Sequence, residues 1–258
     1  MKIQNRLQLC LVALLVTGSF GLTAQKNNTI SIGSIDSIES KILKEKRKIW
    51  IHVPDGGPVD VFTKERYPVV YLLDGDAHFS SVVGMIEQLG FVNGNMICPN
   101  MIVVAIPNTD RTRDLTPTHV IVDPPFMDSA SAKNSGGGEK FISFIEKELI
   151  PHIDSLYPTQ PYRTFIGHSF GGLAVMQTLV HHTSLFNAYI AIDPSMWWDN
   201  QRLLAEAKKA LEEKNFSGTS LYLGIANTME EGMDIKKVKK DSLKKFHIFL
   251  DYNTFIIK

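Results

Sequence analysis

The stretch "TFIGHSFGGLAV" (164–175) constrains the fold more than any other. An apolar run, "YRTFIGHS" (162–169), reads as a strand, and "GGLAVMQTLVHH" (171–182) reads as a helix. Almost no chain is left between them, so the backbone must turn sharply at Ser169. Gly167 and Gly171 on either side permit the strained turn and the close return of helix against strand. The pattern G-x-S-x-G in this setting lifts the serine oxygen above the sheet edge, which makes Ser169 a candidate nucleophile. The plainer reading, a glycine turn carrying an idle serine, does not account for strand, bend and helix occurring together. The N–H of Phe170 would face the same space as half of an oxyanion hole. The dipole of the helix from Gly171 also favours negative charge there.

The rest of the chain supplies a sheet for that bend. "RKIWIHVP" (47–54) alternates apolar and polar residues and reads as a half-exposed strand. "YPVVYLLDG" (67–75) and "MIVVAIPN" (101–108) are continuous apolar runs, as strands buried on both faces are. "FSSVVGMIEQLG" (79–90), "EKFISFIEKELIPHIDSLY" (139–157), "NQRLLAEAKKALEEK" (200–214) and "DIKKVKKDSLKKFHIFLDY" (234–252) have helical spacing, the second with a kink expected at Pro151. "FNAYIAID" (186–193) and "TSLYLGIA" (219–226) are further strands. Residues 109–138 form a long loop rich in Pro, Ser and Gly, of a length that usually serves a function. Strands alternating with helices predict an α/β fold, a mostly parallel central sheet with helices on both faces.

Further site residues follow from that frame. A second oxyanion donor belongs on the loop after an earlier strand, and "LLDGDAHF" (72–79) offers the N–H of Asp76. His78 lies close by and could touch a ligand, or be a plain loop histidine. The acid partner should follow the nucleophile in chain order. "NTMEEGMD" (227–234), after the strand 219–226, offers Glu231 first, then Glu230 and Asp234, with Asp193 as the outside candidate.

The 258 residues hold 27 Lys+Arg and 27 Asp+Glu, a balance that suggests neither nucleic acid nor an acidic membrane as partner. No phosphate loop, EF-hand loop or zinc-spaced Cys/His cluster occurs, so no metal or cofactor is expected. Residues 1–24 read as a signal peptide: Lys2 and Arg6 form a basic start, and an apolar run interrupted by Thr17, Gly18, Ser19 and Gly21 ends in small residues. Cleavage would remove two basic and no acidic residues, leave a net charge of −2 and no membrane span, and place the protein outside the cytoplasm, secreted or periplasmic. Only Cys98 would remain, so no intrachain disulfide could form. Residues 25–40 read as a flexible leader, and 41–258 as a single domain.

With these residues in hand the chain resembles the esterase branch of the α/β-hydrolases, which holds esterase D, siderophore trilactone esterases and feruloyl esterases. The likeness rests on "PVVYLLDGDAHF", "IPNTDRTRDLTP", "GGGEKFISFIEKELIPHID", "YRTFIGHSFGGLAV" and "IAIDPSMWWDN". It implies hydrolysis of a small-molecule acyl ester through Ser169, with Trp197 and Trp198 walling the substrate pocket or packing beneath a lid. It also implies that loop 109–138 borders the cleft, where Arg111 or Arg113 could pair with an anionic substrate group or with surface acids. In this family the base is a histidine beyond one more strand. Here only His247 follows the acid loop, inside the helix 234–252, while His52, His78, His119, His152, His168, His181 and His182 precede it. The resemblance therefore leads us to expect a domain incomplete at its C-terminus, with impaired activity or a binding role only. His78, His168 or His247 could stand in for the base, against the geometry.

Overall fold

The computed structural model describes residues 29–54, 65–90, 94, 96–121 and 132–225. Within them one sheet of seven strands runs β1 (Ser34–Ser40), β2 (Glu45–His52), β3 (Tyr67–Leu73), β4 (Ile102–Ile106), β5 (Thr159–His168), β6 (Ala188–Ile192) and β7 (Ser220–Gly224) in sequence. In space the order is β1-β2-β4-β3-β5-β6-β7. β4, β3, β5, β6 and β7 are parallel, while β2 pairs antiparallel with both β1 and β4. The chain divides into two compact units, Met1–Ser31 and Ile32–Lys258. The described residues of the first, 29–31, carry no regular structure, and all seven strands belong to the second.

Periodicity explains the layers. Every residue of β3 and β4 is buried, because helices cover both faces there. Successive side chains alternate between the faces. Val69, Tyr71 and Leu73 join the larger core, and Val70 and Leu72 join the smaller one with Phe79, Val83 and Ile86. The smaller core lies under α1 (Gly75–Leu89). The larger one lies under α3 (Gly138–Phe144), α4 (Ile150–Leu156), α5 (Phe170–His181) and α6 (Trp198–Glu213). A short α2 (Arg111–Leu115) precedes them. Every residue of α5 from Phe170 to Val180 is buried, so this helix sits at the centre of its layer.

Between α3 and α4 the helix widens into a π turn, Ile145–Leu149, in which the Ile150 amide donates to the Ile145 carbonyl five residues back. Pro151 supplies the cause. Its ring would collide with the carbonyl four residues before it, and it has no N–H to give. The expected kink at Pro151 is thus taken up as a widened turn.

Three expectations change. Residues 34–40, read as part of a loose leader, form the edge strand β1; Ile35 and Ile38 give it only a thin apolar signal. Loop 109–138 contains α2, capped by Asp110, whose carboxylate accepts from the Arg113 amide at 3.0 Å. The helix after 74 starts at Gly75 rather than 79, from a left-handed Asp74 (φ 52°, ψ 45°). The helix expected over 234–252 lies outside the described residues. No described helix is long and apolar enough to cross a membrane.

A buried charge cluster fixes α2 to the sheet. Arg47 on β2 is 1% exposed and donates from Nη1 to Asp114 Oδ2 at 2.5 Å and to Glu45 Oε1 at 2.9 Å. Arg113 donates to both Glu45 oxygens, at 2.7 and 3.0 Å, and from Nε to Asp114 Oδ1 at 2.7 Å. The Arg47 guanidinium also lies over the rings of Phe141 and Phe144, at 5.4 and 5.9 Å. Arg113 holds the Glu45 carboxyl below the usual glutamate range. Its contribution to stability is therefore complete above the ordinary value of about 4.3 and is lost as pH falls through the lowered one. Arg47→Met leaves Asp114 buried without its partner on β2. We expect a loss of about 3–5 kcal/mol in urea unfolding, largely recovered by adding Asp114→Leu. A single variant within about 1 kcal/mol of the parent contradicts this account of the cluster.

Candidate active site

Ser169 stands at the carboxyl end of β5, between strand and helix α5, with φ 56° and ψ −115°. A non-glycine residue with positive φ outside the left-handed helical well costs on the order of 1–3 kcal/mol, and such strain clusters at functional sites. Close packing maintains it. A Cβ on Gly167 would lie 2.3 Å from the carbonyl carbon and oxygen of Gly171, so only glycine fits there. A Cβ on Gly172 would lie 2.9 Å from Pro194 Cα. The bend is also tied down by hydrogen bonds. The Ser169 amide donates to the Ile192 carbonyl at 3.0 Å, and the Ser169 carbonyl accepts from Leu173 at 2.9 Å and from Ser195 at 3.1 Å.

The position in the sheet matters as much as the bend. After β3 the chain passes to β4 on one side, and β5 then lies on the other side of β3. In open parallel sheets ligands bind at such a reversal, outside the carboxyl ends of the strands. Ser169 follows the end of β5, and Asp74 the end of β3. The amides of the first helical turns have no partner within their helices. Phe170 is the first residue of α5 and Asp76 the second of α1, so both candidate donors begin helices at this edge.

Asp74 joins the two halves. It is buried, and its carboxylate does not cap α1. Instead Oδ1 accepts from Arg111 Nε at 2.7 Å and Asn108 Nδ2 at 2.7 Å, and Oδ2 accepts from Arg111 Nη2 at 3.0 Å. Bidentate pairing of this kind fixes direction as well as charge. The guanidinium lies 5.3 Å over the Phe170 ring and gives a long bond, 3.4 Å, from Nη2 to the His168 carbonyl. Asn108 also donates to Asp76 Oδ1, from Nδ2 at 3.1 Å and from its amide at 3.3 Å.

The residues singled out by sequence are distributed as follows. Ser169, Phe170, Asp76, His78 and Arg111 gather at the carboxyl ends of β3 and β5. His78 faces His168, with ring centroids 6.1 Å apart and planes nearly perpendicular. Arg111 is held by an acid of the protein itself, Asp74. Among the described residues its Nε and Nη2, but not its Nη1, make hydrogen bonds. Arg113 belongs to the buried cluster with Glu45 and Asp114. Trp197 is exposed and lines a cavity of about 180 Å³ with Met176, Asp193, Met196 and Leu204. Trp198, expected on the pocket wall or packed beneath a lid, is buried. It is 1% exposed, packs edge-on to Phe170 at 5.3 Å, and its indole N–H bonds the Thr118 carbonyl and hydroxyl, which pins the loop. Asp193 follows β6 with φ 44°, its amide bonded to the Gly224 carbonyl at 2.6 Å. Glu231, Glu230, Asp234 and His247 lie outside the described residues. Sequence reading missed Asp74, Asn108 and Ser195, whose partners lie 26 to 37 positions away.

Known proteins resemble this chain. The family model described as "Putative esterase" matches residues 40–241. The siderophore enterobactin esterase of Emericella nidulans is 31% identical over 164 residues, covering 59% of this chain and 52% of that protein. The ferri-bacillibactin esterase BesA of Bacillus subtilis is 32% identical over 168 residues, covering 61% and 58%. The chain thus spans little more than half the length of these curated relatives. Among solved structures, an IroE-like serine hydrolase from Shewanella oneidensis is 35% identical with a TM-score of 0.70, covering 83% of this chain and 69% of that one. With the parallel sheet, the strained serine and a family match over most of its length, the chain belongs to the Putative esterase family and has the α/β-hydrolase fold.

Proposed function

We propose that the protein is a serine esterase that cleaves a small-molecule acyl ester through an acyl-enzyme on Ser169. The observation that carries this reading is the Ser169 backbone, held at φ 56° at the carboxyl end of β5 where the sheet reverses direction. The names of the relatives support an ester within a siderophore or a compound of like chemistry as substrate. In this reading the Ser169 oxygen attacks the ester carbonyl. The amides of Phe170 and Asp76 take up the developing negative charge. The alcohol leaves, and water then releases the acid. Glu231 is the acid partner of the site, and activity is impaired where no histidine base completes it. Arg111, aimed by Asp74, meets a substrate oxygen, and His78 and Trp197 contact the substrate. The first 24 residues direct secretion or export to the periplasm.

One observation favours a second reading. Among the described residues the only side chain hydrogen-bonded to Ser169 Oγ is Ser195, and no histidine reaches it. A serine hydroxyl without a base is a poor nucleophile at neutral pH. A binding protein that keeps the cleft and has lost turnover would look the same. It would bind ester ligands without releasing p-nitrophenol from p-nitrophenyl esters.

Three measurements separate these readings. A fluorophosphonate probe on the folded protein should add one label, mapped to Ser169 by mass spectrometry, and Ser169→Ala should remove it; absence of label rejects the nucleophile. Arg111→Ala should lower kcat/KM about 10- to 100-fold, the worth of one or two charge-assisted hydrogen bonds. Unaltered kinetics would free Arg111 of any substrate role. Trp197→Ala should raise KM for aromatic esters about tenfold through lost apolar contact and leave acetate esters nearly unaffected. Equal losses on both would move the substrate away from the Trp197 cavity.

A further inference from the structure

We propose that Ser195 is a positioning residue for the nucleophile, one that donates its hydroxyl proton to Ser169 Oγ as negative charge builds there. The inference rests on the reading of Ser169 as the nucleophile. The Ser195 hydroxyl lies 3.2 Å from Ser169 Oγ, and the residue is 5% exposed. A buried hydroxyl without a partner is costly. The only side chain hydrogen-bonded to it among the described residues is Ser169.

The backbone around Ser195 fixes this contact at several points. Its amide donates to the Ser169 carbonyl at 3.1 Å, and its carbonyl accepts from the Trp198 amide at 3.0 Å. The Met196 amide bonds the Pro194 carbonyl at 2.7 Å, and the Asp193 amide bonds Gly224 at 2.6 Å. Residues 193–198 thus form a bracket between β6 and α6 that presents one hydroxyl to the strained bend.

Chemistry gives the direction of the bond. In the free protein either hydroxyl can donate. Once Ser169 attacks, its own proton is lost, to a base or to solvent water, and its oxygen carries the new bond to the acyl carbon. From that point Ser169 Oγ has no proton to give, and Ser195 must be the donor. The Ser195 proton stays on Ser195 throughout. Its bond to Ser169 Oγ shortens whenever that oxygen bears charge, as the proton leaves during attack and again when the acyl group is expelled. Ser195 therefore stabilises the charge that builds on Ser169 Oγ, and it holds the side chain on the line of attack.

The test compares Ser195→Ala and Ser195→Thr with the parent protein, following Ser169 phosphonylation by the fluorophosphonate probe across pH, with melting temperature measured alongside. Ser195→Ala should label at least about tenfold more slowly at saturating probe, with the pH midpoint of labelling moved upward and the probe's apparent affinity unchanged. Ser195→Thr, which keeps the hydroxyl, should restore the parental midpoint. Parental rate and midpoint in Ser195→Ala overturn the proposal. So does a Ser195→Thr that is as slow as the alanine variant with the same fall in melting temperature, which would mark Ser195 as packing only. If the parent itself takes no label at Ser169, the nucleophile reading fails and this inference falls with it.

Discussion

The structure depends on the contact between the end of β5 and the start of α5. There Gly167 and the Gly171 carbonyl come so close that a single methyl group on Gly167 would not fit. That closeness lets the chain reverse within one residue, and it leaves Ser169 at positive φ. Strain of this size persists only where the surroundings over-determine it. Here they do so with α5 almost wholly buried, with a bond from the Ser169 amide to β6, and with a bond from the bracket at Ser195.

A second constraint sets the charge of the site. Asp74 is buried, but it is not an isolated charge, because Arg111 and Asn108 supply three hydrogen bonds at 2.7 to 3.0 Å. A buried ion pair contributes little net stability against an apolar replacement. What it supplies here is direction. Arg111 is aimed across Phe170 toward the bend, and α2, which carries it, is held in turn by the Arg47–Asp114 pair beneath. The two pairs form a chain of charges from β2 to the sheet edge, and each member has a partner.

Much of the fold could be read from local pattern. Continuous apolar runs gave β3 and β4, and the join at Gly167–Gly171 gave the central strand and helix, because in these places one short stretch decides the structure alone. β1 was hidden because an edge strand with one polar side offers few apolar residues. The start of α1 was hidden because Asp74 enters the helix from a left-handed backbone, which asparagine and aspartate tolerate without a glycine as signal. The site was legible only in part. Ser169 announced itself through local backbone chemistry, but Asp74, Asn108 and Ser195 are ordinary polar residues until the fold brings distant positions together. Trp197 and Trp198 are neighbours in sequence, and only packing against Phe170 and Thr118 tells the exposed indole from the buried one.

The π turn at Ile145–Leu149 has a bearing on the layer that supports the bend. In an unbroken α-helix each residue advances about 100° around the axis. The apolar positions Phe141, Ile142 and Ile145 would then drift out of phase with Leu149, Ile150 and Ile153. One extra residue in the widened turn sets the phase back by about that amount, and all six side chains are buried, all but Ile142 in one core. The turn works as a vernier between two helical halves. Deleting any one residue from it would rotate one half by a quarter-turn or more and swing an apolar row from the sheet into water.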